Sequence, residues 1–147
     1  MRTICTRLVH SLASLAFSPL AAVAADNVTC PSEIQQSSLK LVDVPGQWTP
    51  HVARPIFLHG AGAAAGPPDS HGQLKPENST YAEGKTSWKV TYNLEGDFPR
   101  GKWLECSYGT LNQLILSKRL PNTTSTCKVS YRKGEHAGQN NVDIACR

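Results

Sequence analysis

Beyond its first two dozen residues, this 147-residue chain has no apolar run of the roughly 20 residues that a membrane-spanning helix needs. No two of its cysteines stand in the Cys-x2-Cys spacing of structural zinc. Neither a Gly-x-Ser-x-Gly elbow nor a His-Glu-x-x-His pair occurs, which removes the commonest signs of a serine hydrolase or a zinc protease. Sustained helical periodicity and internal repeats are also missing. Large side chains are scarce, with 3 Trp, 4 Tyr, 3 Phe and a single Met. These exclusions leave a small domain without an obvious catalytic kit.

The one apolar stretch lies at the start. Arg2 and Arg7 precede a mostly apolar Leu8–Leu20, and Ala22-Val23-Ala24-Ala25 supplies the small residues that a signal peptidase cuts. His10, Ser11, Ser14 and Pro19 interrupt the stretch, which argues against an anchor. Residues 1–25 therefore read as a signal peptide and 26–147 as one exported domain, periplasmic or secreted. A lipoprotein would need a cysteine at the cut, and Cys5 lies too early.

Cleavage removes Cys5 and turns an odd cysteine count into an even one: Cys30, Cys106, Cys127 and Cys146. In an oxidising compartment such a set reads as two disulfides. Three pairings are possible. The stretches Cys127–Lys133 and Asn141–Cys146 both alternate around turn residues 134–138, so a hairpin centred near His136 would set Cys127 opposite Cys146. Cys30 would then pair with Cys106.

Alternation is clearest in Thr86–Leu94, where Trp88, Val90, Tyr92 and Leu94 share a face. Lys102–Tyr108 and Leu114–Leu120 follow as strands, separated by turn-forming segments. Leu39–Val44 alternates more weakly, ahead of Pro45-Gly46. Leu58–Glu83, rich in Gly and Pro, reads as a connection; its Gly60–Gly66 run lacks both the G-x-G-x-x-G spacing and a P-loop lysine. The expected fold is mainly β with little helix: a single small antiparallel sheet, a meander, stapled by two disulfides.

The chain holds 15 Lys plus Arg against 11 Asp plus Glu. From Phe98 onward Arg100, Lys102, Lys118, Arg119, Lys128, Arg132 and Lys133 dominate. A solvated sheet face accounts for this excess, as would an anionic partner. No nucleic-acid motif accompanies it, so no nucleic-acid partner is expected.

Candidate chemistry is thin. His51, His59, His71 and His136 all fall in expected loops, and Pro67-Pro68 and Gly72 interrupt the segment that would have to hold His59, His71 and Asp69 together. Glu105 alternates with Leu104 and Cys106, which places it on an outward face beside Lys102 or a basic residue of the next strand. Trp48, Trp88 and Trp103 are most simply core residues. Trp103, however, alternates with Glu105, which places it on the sheet's other face, and beside Arg100 and Lys102 it is the best candidate for a binding anchor.

The succession Cys30-Pro31, Trp48, Leu74-Lys75-Pro76, Trp88, Trp103-Leu104-x-Cys106-x-Tyr108-Gly109-Thr110, Leu120-Pro121, Cys127-x-Val129 and Ile144-x-Cys146 resembles a family of small exported proteins. They are four-cysteine proteins of Gram-negative bacteria, mostly of unknown function. The resemblance spans nearly all of the mature chain, although the Ala-rich run at Gly60–Gly66 looks longer than usual. Some relatives lie near gene clusters of contact-dependent secretion systems, where small periplasmic proteins often neutralise a toxin. The resemblance implies no catalytic residue.

The leading expectation is a non-enzymatic binding protein, an inhibitor or immunity-type protein that occludes another envelope or secreted protein. It needs no cofactor and no metal, and it has no membrane span. Its tentative contact residues are Trp103, Arg100 and Lys102. The alternatives are an envelope hydrolase or metal-dependent enzyme using His59, His71 and Asp69, and a cell-envelope or carbohydrate-binding module.

Overall fold

The computed structural model describes residues 28–81 and 86–147; the expected signal peptide lies outside them. Eight strands form: β1 (Glu33–Ile34), β2 (Ile56–Ala65), β3 (Asn78–Tyr81), β4 (Ser87–Asn93), β5 (Lys102–Tyr108), β6 (Leu114–Arg119), β7 (Thr126–Lys133) and β8 (Asn140–Cys146). Helical structure among the described residues is limited to two 3₁₀ turns, Gln36–Ser38 and Pro68–Ser70. The mainly β expectation holds, with one correction: the strands divide between two antiparallel sheets, ordered β1-β2-β5-β6 and β3-β4-β7-β8. A single meander fails because β5 does not pair with β4. It takes β2 as its partner instead.

That partner is the second correction, since β2 occupies the Gly/Ala-rich stretch that reads as a loop. Small residues make it a close-packing strand. Ala61 and Ala63 are buried opposite Cys106 and Leu104, so they share the core face of sheet 1. Gly60 and Gly62 face the other way, opposite Ser107 and Glu105. The strand has one lined face and one bare face.

Sheet 2 presents Val90, Tyr92 and Leu94, with Cys127, Val129, Tyr131, Ile144 and Cys146, to the same core. The sheets join along the edge of β2 away from β5. There Ala65 N–H donates to Gly72 O (2.8 Å) and Leu74 N–H to Ala63 O (2.9 Å). The next exposed pair on that edge belongs to Ala61. It is served by the Tyr131 hydroxyl, which donates to Ala61 O and accepts from Ala61 N–H. Asn140 Nδ2 then donates to His59 O (2.6 Å). Side chains of sheet 2 thus complete the backbone hydrogen bonds of sheet 1, as buried polar groups require.

Disulfides join Cys30 to Cys106 and Cys127 to Cys146, the latter across directly opposed residues of β7 and β8 with Cα atoms 4.1 Å apart. The first ties the N-terminal segment to the centre of sheet 1.

Leu39–Val44 forms no strand, contrary to its alternation. Pro45, Pro50 and Pro55 punctuate the segment, and Asp43 and Gln47 turn it with positive φ (55° and 70°). No neighbouring strand lies alongside it among the described residues. Trp48, expected in the core, is exposed for the same reason.

Candidate functional site

Two features share one end of the molecule. The first is a cluster of loops. Because Ile34 pairs with Ile56, residues 35–55 leave and re-enter the fold at the start of β2 as one closed loop. The turn 109–113, which ends β5, lies beside it, with Gly109 N–H donating to Phe57 O (2.9 Å). The β7–β8 turn completes the group: His136 stacks on Phe57 at 4.2 Å, and the His59 ring bonds to Gly138 O through Nδ1 (2.8 Å). Gly138 has φ near 78°, and a Cβ there would overlap the Thr110 methyl, so this turn packs directly on its neighbour. Leu41 (58% exposed), Val42 (79%) and Trp48 (75%) stand on the long loop, and Leu111 (82%) on the turn.

The second feature is a cleft of about 530 Å³ that opens beside these loops at Asn112 and Asn140. Its floor is the bare face of β2, with Gly60 and Gly62 beside Ser107 and Glu105. Trp88, Tyr92 and Tyr131 form an aromatic wall, with Trp88 and Tyr131 stacked at 4.7 Å. Burial raises the Tyr92 phenol. It pushes Tyr131 up to about 12, with Tyr92 adding to the shift and the Ala61 hydrogen bond opposing it. Both hydroxyls stay protonated at neutral pH.

Glu105 corrects the expectation of an outward, ion-paired carboxylate. It is only 6% exposed, on a strand flanked by β2 and β6, and Gln73 donates to its Oε2 (3.1 Å). The ion pairs among the described residues, Arg100–Asp69 and Arg132–Asp143, do not involve it.

Arg100, Lys102 and Trp103 lie at the opposite end, where Gly66 N–H meets Gly101 O. Lys102 is not available as a surface contact: it is buried, and its Nζ donates to Asn122 O (2.8 Å) and Thr124 O (2.7 Å). Its position on the core side of β5 puts it beside those carbonyls. Trp103 is half-buried, with its indole N–H donating to Arg100 O (3.1 Å). The Arg100 guanidinium is exposed, 3.6 Å from Asp69.

His59 and His71 are not brought together. Ala65 bonds to Gly72, so His71 sits beyond the far end of β2, six strand residues or roughly 20 Å from His59. No group of three potential metal ligands forms among the described residues, and no helix there is long and apolar enough to cross a membrane.

Residues 53–147 match the family model described as type VI secretion system Tli immunity protein. The chain belongs to that family. The immunity protein accordingly acts by binding a partner toxin, and the expected link to a contact-dependent secretion system agrees with the match. The matched part contains Cys106, Cys127 and Cys146, whereas Cys30 and most of loop 35–55 precede it. No curated protein matches the immunity protein, and neither does any solved structure.

Sequence reasoning missed both features of this end. The cleft floor had a signal, the Gly-Ala-Gly-Ala alternation of β2, but its period is written in residues too small to register as hydrophobic contrast. The loop tip had one in Trp48, which size alone assigns to the core.

Proposed function

We propose that this immunity protein is exported, loses its signal peptide near Ala25, and neutralises a type VI effector in the periplasm by covering the toxin's working surface. It performs no chemistry on the toxin and uses no cofactor. The observation that carries this reading is a set of exposed large apolar residues, Leu41, Val42 and Trp48 on loop 35–55 and Leu111 on the turn that packs beside the start of β2, carried by a disulfide-braced frame. Large aromatic and aliphatic groups exposed on adjoining loops are costly to leave in water and are typical of contact surfaces. The frame holds them in place beforehand, which reduces the ordering cost of association. Loop 35–55 carries only Lys40, Asp43 and Arg54 as charged residues, so its contact rests on apolar burial.

The test is protection. Cells that export the effector encoded beside this gene should survive when the wild-type protein is co-exported. They should lose viability with a Trp48→Ala/Leu111→Ala variant that is equally abundant. Truncating a central aromatic anchor costs about 2 kcal/mol or more, a Kd weakened about 30-fold. Full protection by that variant would move the contact elsewhere, with the Trp103 and Arg100 patch the next surface to test.

A further inference from the structure

We infer that the glycine-floored cleft is a receptor for a cationic side chain, a guanidinium or ammonium group, contributed by the bound effector. The identity of that partner rests on the immunity reading; the chemistry of the site rests on the cleft itself.

Three observations converge. Glu105 is more than nine-tenths buried, yet it forms no ion pair among the described residues, and Gln73 supplies its one side-chain hydrogen bond there, to Oε2. A carboxylate buried without a cation beside it is unfavourable, and a well-placed cation arriving from outside offsets part of that cost. The floor beside it is kept bare. Gly62 stands opposite Glu105, and a Cβ there would reach within 3.0 Å of the Tyr92 hydroxyl; Gly60 stands opposite Ser107. A side chain at either position would fill part of the cleft floor beside the carboxylate. Finally, the wall is aromatic, and Trp and Tyr rings attract cations through their π faces. Anion at the base, empty floor and aromatic side together fit a long, flat-ended cation better than an anion or an aliphatic group. The bidentate geometry of a guanidinium suits a carboxylate especially well.

The location agrees with this role. Asn112, at the cleft, is next to the exposed Leu111 on the turn 109–113, so a partner seated on Leu111 lies beside the opening. An apolar rim would exclude water around a buried ion pair, and close, desolvated charge pairs at some interfaces contribute strongly to binding.

Calorimetric titration with the neighbouring effector tests the inference using the wild-type protein, Glu105→Gln and Gly60→Val, each with its melting temperature recorded. Glu105→Gln keeps the shape and removes the charge. Gly60→Val fills the floor while leaving the carboxylate, and the Cβ would meet only the movable Ser107 hydroxyl at 3.1 Å. Both should bind at least about 10-fold more weakly than wild type, and N-acetyl-arginine amide should compete for the wild-type protein. A folded Glu105→Gln that binds within two-fold of wild type would overturn the inference; should that variant not fold, the same outcome for Gly60→Val would. If the wild-type protein does not bind the effector, the immunity reading fails first. The cleft then stands or falls on whether N-acetyl-arginine amide shifts the Trp88 indole resonance of wild type and not of Glu105→Gln.

Discussion

The Tyr131 hydroxyl serves both backbone groups of Ala61 at once, a task that normally falls to a neighbouring strand. Removing it in Tyr131→Phe leaves a buried N–H and C=O without partners while keeping the ring stacked on Trp88. Unmade buried hydrogen bonds cost about 1–3 kcal/mol, so the urea midpoint of this variant should fall by a corresponding amount. Alkaline pH probes the same groups. Burial pushes the hydroxyls of Tyr108 and Tyr131 up to about 12 from an ordinary 10. The unfolded chain therefore loses these protons first as pH rises, and proton loss favours unfolding. Stability is unaffected by these groups below about pH 10 and should decline between about pH 10 and 12, by up to about 1.4 kcal/mol per pH unit for each tyrosine. Denaturant unfolding at pH 9, 10 and 11 checks the direction, and Tyr131→Phe should flatten the slope.

Among the elements, legibility followed the size of the side chains. β4, β5, β7 and β8 alternate large apolar residues with polar ones, and their positions and the β7–β8 hairpin could be read directly. β2 uses the same period, but a Gly/Ala alternation changes hydrophobicity too little to stand out. Its strand character comes from what it pairs with: β5 along one edge, and β1, Gly72, Leu74, Tyr131 and Asn140 along the other. Leu39–Val44 shows the converse, since it alternates but meets no partner strand. A period of two proposes a strand, and an available edge decides it. The candidate site was legible only in part for the same reason. Glu105 was correctly set opposite in face to Leu104 and Cys106, but its side-chain partner is Gln73, which lies far from it in sequence. Nothing local to β5 could announce that.

For the molecule as a whole, the two disulfides do unequal work. Cys30 and Cys106 are 76 residues apart, Cys127 and Cys146 only 19. In the chain-entropy account the longer closure contributes about 4.5 kcal/mol and the shorter about 3. A Cys30→Ala/Cys106→Ala variant should accordingly lose more stability than Cys127→Ala/Cys146→Ala, as measured by thermal unfolding under oxidising conditions. Their functional effects should differ too. The first pair holds the segment that leads into loop 35–55, whereas the second braces a hairpin already registered by backbone pairing. Loss of effector affinity should therefore track the first variant.

The tether at Cys30 also bears on when, as well as where, protection begins. In a reducing cytosol the leading segment would lack its covalent latch, and the grip that depends on it would be loose. If the protein is exported as proposed, a toxin made in the same cell would then stay unclaimed in the cytosol. Affinity measured with and without a thiol reductant should show this difference, and equal values would mean that the guardian is armed from synthesis.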